Sequence, residues 1–155
     1  MDEYIKTTSI NLQEPALSGD VGYNLPSSKR MRIKPGQLVE IPTGIRVELP
    51  QNTWGLILAR SSANVSGKLL VFPGVVDEGF RGEITIIVRN LQGRQDLLYF
   101  FRKLFGLRDG DFVIEKGQSV AQLVLFNSLV PKIYQVSELS ESERGSNAFR
   151  STGHK

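Results

Sequence analysis

The chain contains no cysteine. Structural disulfides, thiolate zinc centres and cysteine nucleophiles are therefore excluded. It has one histidine, the penultimate His154, so neither a histidine metal cluster nor a Ser–His triad is expected within one chain. Carboxylate chemistry remains, with any cation bound through oxygen ligands. Long apolar runs are also missing: no stretch reaches the length needed to cross a bilayer. The amino-terminal MDEYIKTTSINLQ has neither a cationic n-region nor an apolar h-region. The expectation is a soluble, intracellular protein with no membrane contact. A net charge of +3 with scattered basic residues suits anionic ligands weakly and gives no nucleic-acid footprint.

What is present is a 155-residue chain, 40% hydrophobic and 23% charged, long enough for one domain with its own core. Short apolar runs are separated by Gly, Pro, Asn and Ser. Segments 4–10, 31–33, 38–41, 44–49, 54–59, 68–72, 83–88, 112–114, 120–126 and 133–136 each read as strands. Ile45-Arg46-Val47-Glu48-Leu49 shows the clearest in-out alternation. Pro35-Gly36, Pro42-Thr43-Gly44 and Pro50-Gln51-Asn52 supply turns. Many short strands at close spacing predict an all-β barrel or sandwich. There is no internal repeat and no dividing linker.

One segment follows a different period. Leu97, Leu98, Phe101, Leu104 and Phe105 fall at helical spacing, with Asp96 early, Arg102 and Lys103 late, and Gly106 as a stop. This predicts one helix, packed on the barrel, across a subunit interface, or exposed for another protein. The last stretch, 138–155, is polar, yet Phe149 sits there among Arg, Ser, Thr and Gly. Such a flexible arm suits stacking on a base and contact with phosphates.

The stretch 72–84 places Asp77 between apolar residues, turns at Gly79 and resumes as a strand after Gly82. A hairpin of this kind holds Asp77 rigidly and presses Phe80 against whatever occupies its mouth. Gly74, Gly79 and Gly82 fit through positive φ or close ligand approach. The same residues also suit an ordinary hairpin with a solvated acidic turn.

Five stretches together resemble the motifs of the trimeric dUTPase family, in the family's order and over nearly the whole chain. Val21-Gly22-Tyr23-Asn24-Leu25 resembles the first motif, and Trp54 to Ser62, with Arg60-Ser61, the second. Gly74-Val75-Val76-Asp77-Glu78-Gly79-Phe80-Arg81-Gly82 resembles the third. Gly117 to Leu123 resembles the fourth and Arg144 to Gly153 the fifth. The resemblance implies a dUTPase-like distorted jelly-roll β-barrel over 1–137, interrupted by a helical insertion at 95–110. An arm over 138–155 would close over a neighbouring active site of a homotrimer.

The implied activity is hydrolysis of dUTP to dUMP and pyrophosphate, which keeps uracil out of DNA and supplies dUMP for thymidylate synthesis. Asp77, expected to be buried beside an apolar wall, would deprotonate the attacking water. Phe80, in place of the family's usual Tyr, would pack on the deoxyribose. Arg60, Ser61, Gln122 and Arg144 would bind phosphate oxygens, with Ser62 supporting the loop and Ser151 and Thr152 reaching the γ-phosphate. Backbone groups of the hairpin at Gly74 and Val75 would read the base beneath Phe149. Mg²⁺ would be held by the phosphates, with Asn24 acting indirectly through water. Tyr23 and Trp54 are expected to pack in the barrel.

The sequence departs from the pattern at several places. Asn24 replaces an Asp, Asn147-Ala148 a Gly pair and Arg150 a Gly, while Val71 stands where relatives often place a base-reading polar residue. These changes keep open a relative that hydrolyses dCTP or several dNTPs. The related dCTP deaminases need a Glu where this chain has Ile87 and an Arg where it has Val65, so deamination is not expected. The insert at 95–110 resembles those of some viral and phage members that serve in protein recognition. It implies a possible protein partner, and with it a nucleotide-gated interaction protein as the alternative function.

Overall fold

The structure, a computed structural model, describes residues 4–12, 14, 15, 17–92 and 110–142. The helix expected over 95–107 and the arm residues from 143 onward lie outside them. Among the described residues there are eleven strands: β1 (Lys6–Thr7), β2 (Gly22–Pro26), β3 (Met31–Ile33), β4 (Leu38–Pro42), β5 (Val47–Glu48), β6 (Thr53–Ala59), β7 (Leu69–Val71), β8 (Gly74–Val76), β9 (Thr85–Asn90), β10 (Phe112–Ile114) and β11 (Ser119–Asn127). One short helix, α1 (Ser61–Val65), follows β6. The strands form an all-β jelly-roll barrel from a four-stranded sheet, β2-β11-β6-β8, a three-stranded sheet, β4-β9-β7, and the pairs β1-β5 and β3-β10.

The alternation of apolar and polar residues sets which face turns inward. In β9, Ile86, Val88 and Asn90 are buried while Ile87 and Arg89 are exposed. Its partners β4 and β7 match it in register, Ile41 opposite Ile86 and Val71 opposite Val88. Ile45, Val47 and Leu49 are buried as their alternation predicts. Burying each such side chain contributes roughly 1.5–3 kcal/mol before ordering costs. Gly55 is a tight point of the buried interior. A Cβ there would stand 2.6 Å from Leu123 Cδ1, so β6 and the Leu123 side chain meet without a side chain between them.

Polar groups inside the barrel are paired. Thr43 Oγ1 donates to the Ile84 carbonyl at 2.6 Å and accepts the Ile45 N–H at 3.0 Å. Asn90 Nδ2 donates to the carbonyls of Ile33, at 2.9 Å, and Gly110, at 2.7 Å. It thereby ties Gly110 to the strand end at Asn90 and to the core.

Three expectations are corrected. Segment 133–136 is not a strand: Ile133 and Tyr134 are exposed and pair with nothing in the sheets. A β-like composition without a neighbouring strand gives no ladder. Segment 4–10 contributes only the two residues of β1. Trp54 does not point into the barrel. Gly55 and Ile57 occupy the inward positions of β6, and Trp54 stacks on Phe126 on the outer face, with centroids 5.0 Å apart. Tyr23 does pack against the core, as expected.

Candidate active site

At the end of β6 the Arg60 N–H donates to the Val120 carbonyl at 3.0 Å, which fixes the chain before it turns into α1. The guanidinium is half-buried, with Nη1 at 3.5 Å from the Ser119 carbonyl. Beside it opens a cavity of about 660 Å³ lined by Asn11, Glu14, Asn24, Arg60, Ser62 and Ser119, among others. The turn 115–118 forms one wall. Gly117, at φ +83°, needs the left-handed region there, and Glu115 N–H is capped by Gln118 Oε1 at 3.0 Å. A guanidinium with hydroxyls and amides around it suits oxyanions. Ser61 is exposed at the start of α1.

Gln122 stands next to this cavity, opposite Asn24 on β2 and Leu58 on β6. Its amide lies across the bare Cα of Gly22, where a Cβ would overlap it. Any larger residue at position 22 would have to displace that amide.

The hairpin forms a second cluster. β8 pairs with β6, Val76 opposite Gly55 and Gly74 opposite Ile57. The turn after it is closed by Phe80 N–H donating to the Asp77 carbonyl at 3.0 Å. Arg81 Nη1 grips the turn from within, donating to the carbonyls of Glu78, at 2.6 Å, and Phe80, at 2.9 Å. The Glu78 carboxylate accepts the Asn52 N–H at 2.8 Å from outside. The hairpin expectation is corrected in two respects. Asp77 is exposed in the chain rather than buried, because it lies past the last inward residue, Val76. None of Gly74, Gly79 and Gly82 has positive φ. Gly82 makes room for the aromatic ring instead: a Cβ there would stand 2.5 Å from Phe80 Cζ, so the ring lies over it. Phe80 is 41% exposed and Val75 64%, leaving both available to a ligand.

The two clusters sit at opposite ends of β6. Asp77 follows the residue paired with Gly55, whereas Arg60 follows Ala59. Six residues of strand separate them, about 20 Å at ~3.3 Å per residue. The fold therefore gathers Asn24, Arg60 and Ser62 around one cavity with Gln122 beside it, and holds Gly74, Val75, Asp77 and Phe80 elsewhere. Arg144, Phe149, Ser151 and Thr152 lie outside the described residues.

Asn11, Glu14 and Ser119 line the cavity without having been singled out in the sequence. Asn11 and Glu14 lie in an irregular segment with no periodicity to mark them. Ser119 was legible only as part of the fourth motif. Among the described residues no group of three or more His, Asp or Glu side chains is placed to cage a metal ion. The cavity's oxygen donors fit a hydrated cation carried on an anionic ligand better than one held by the protein alone.

Fold and cavity define a class: a jelly-roll β-barrel with a polar cavity beside Arg60 and a separate carboxylate-bearing hairpin. A dUTPase family model matches residues 8–97 and 103–153. The chain is 38% identical over 146 residues to the deoxyuridine 5'-triphosphate nucleotidohydrolase of Clostridium acetobutylicum, covering 93% of this chain and 90% of that one. It is 38% identical over 157 residues to the enzyme of the same name from Alkaliphilus metalliredigens, covering 97% and 98%. The solved structure of Staphylococcus bacteriophage 80alpha dUTPase with dUPNHPP superposes with a TM-score of 0.82 at 25% identity, covering 98% and 99% of the two chains. The protein belongs to the dUTPase family.

Proposed function

We infer that this protein is a dUTP diphosphatase, hydrolysing dUTP to dUMP and pyrophosphate by attack of water at the α-phosphate. The observation that carries the reading is full-length likeness to deoxyuridine triphosphate nucleotidohydrolases, joined to a rigid turn that presents Asp77 and Phe80 together. Asp77, fixed through both its neighbours' backbone contacts, orients the water and takes its proton. Phe80, held over Gly82, packs on the deoxyribose and leaves no room for a 2′-hydroxyl. Gly74 and Val75 offer backbone groups to the base. Arg60, Ser61, Ser62 and Gln122 bind phosphate oxygens, and Arg144, Phe149, Ser151 and Thr152 of the arm close over the nucleotide.

A homotrimer completes the site in this reading. The separation of about 20 Å between the Asp77 turn and Arg60 along one strand supports a site composed of residues from different copies. Mg²⁺ enters on the substrate phosphates, where it would offset their charge and polarise the phosphoryl oxygens. Asn24, with its exposed amide on the cavity wall, would meet the metal's water shell.

The test is pyrophosphate release with dUTP, dCTP, dTTP and UTP in the presence of Mg²⁺, with sedimentation of the same preparation. dUTP is expected to be the preferred substrate of a trimer. Asp77→Asn is expected to lower turnover by at least about 100-fold while nucleotide binding persists. Equal rates for wild type and this variant would falsify the assignment. Comparable rates on dCTP would favour the broader dNTP hydrolase.

A second reading concerns the 95–110 insert. The phage 80alpha enzyme is described among phage dUTPases that control transfer of virulence genes by a proto-oncogenic G protein-like mechanism. By analogy, the insert recruits a protein partner when nucleotide is bound. Pull-downs with and without a non-hydrolysable dUTP analogue test it, and capture that ignores nucleotide sinks the gating.

A further inference from the structure

The cavity beside Arg60 contains a group that a phosphate site should not tolerate by itself. Glu14 lines it together with Asn24, Arg60 and Ser62, and is the single carboxylate among the described residues of that lining. It is exposed and forms no ion pair or hydrogen bond among the described residues. Among the described residues the other cavity side chains are neutral apart from Arg60, so Glu14 offsets the formal charge that Arg60 provides. A polyphosphate entering this side of the site brings its oxygens towards a like charge at Glu14.

A divalent cation between carboxylate and phosphate reverses the sign of that contact. Mg²⁺ sheds water reluctantly and is commonly held through its hydration shell by one or two carboxylates in addition to substrate phosphates. Asn24, the residue of the first motif on this wall, is a neutral amide and offers no charge. Glu14 is the carboxylate that the cavity does offer.

We propose that Glu14 is an outer-sphere anchor for the divalent cation that accompanies the nucleotide, making up for the charge absent at Asn24. The proposal rests on the dUTP-hydrolase reading and adds a consequence to it: Glu14 opposes metal-free nucleotide and favours the metal complex. A residue that merely supports the loop has no such sign reversal.

The experiment is calorimetric titration of a non-hydrolysable imido analogue of dUTP into wild type, Glu14→Gln and Glu14→Asp, in EDTA and in millimolar Mg²⁺. Glu14→Gln is expected to bind metal-free analogue about threefold or more tighter than wild type, and the Mg²⁺ complex weaker by a similar factor. Glu14→Asp keeps the charge and is expected to recover the Mg²⁺ dependence. Bound Mn²⁺, followed by electron paramagnetic resonance in the presence of the analogue, is expected to be held less tightly in Glu14→Gln. If Glu14→Gln matches wild type in both titrations, or binds more weakly in both, the anchor role is overturned. If wild type binds the analogue in neither condition, the nucleotide reading itself fails, and the anchor with it.

Discussion

The Glu78 carboxylate accepts the backbone N–H of Asn52 at 2.8 Å, across 26 residues of sequence. Asn52 is the one non-glycine at positive φ among the described residues, at 59°, a region Asn enters more readily than most side chains. Its carbonyl accepts the Ser128 N–H at 2.8 Å. A single residue, Asn52, thus links the turn bearing Asp77 to the end of β11. Glu78→Ala removes the acceptor and is expected to lower kcat/KM for dUTP about tenfold through misplacement of Asp77. Glu78→Gln keeps an acceptor oxygen and is expected to remain near wild type. Steady-state pyrophosphate release decides, and wild-type kinetics in the Ala variant would show that the link does not position the turn.

Gly82 makes a different demand. Alanine suits its backbone, since its φ is not positive, but the new Cβ would stand 2.5 and 2.7 Å from Phe80 Cζ and Cε2. The ring is partly exposed and yields, so the fold is expected to survive with little change in Tm. Discrimination between dUTP and UTP is expected to fall about tenfold or more, because the ring no longer sits where a 2′-hydroxyl would collide. The ratio of kcat/KM values for the two substrates measures it.

Thr43 tests the barrel interior. Its hydroxyl serves the Ile84 carbonyl and the Ile45 N–H at once, in a fully buried position. Thr43→Val keeps the shape and strands both backbone groups, at an expected cost of about 1–3 kcal/mol. Urea denaturation is the measurement, with a lower midpoint at unchanged slope as the expected result.

Deletion of 95–109 tests whether the insert belongs to the barrel. Asn90 donates to the Gly110 carbonyl at 2.7 Å, and its own Oδ1 accepts the Gln92 N–H at 2.9 Å. The neck is closed by the core, so the shortened chain is expected to keep a single cooperative unfolding transition and its activity. Asn90→Ala is expected to destabilise it by about 1–3 kcal/mol instead. Loss of assembly or folding on deletion would make the insert structural and end the case for a docking element.

Much of this protein was determined by its sequence. Period-two alternation marked the buried face of 45–49, because a strand that covers a core on one side must alternate. The absence of cysteine and the single terminal histidine confined the chemistry to carboxylates and oxygen ligands, whatever the fold. Motif order gave the expectation that Arg60, Asp77 and Phe80 belong to one site. Tertiary structure alone decided where those residues stand. The register of β8 on β6 puts Asp77 about 20 Å from Arg60, and no local pattern encodes that pairing. Glu14 reached the cavity through the path of an irregular segment, and Glu78 met Asn52 through chain reversal. Composition could not tell the unladdered 133–136 from a strand, because a strand exists only where a neighbour completes its hydrogen bonds.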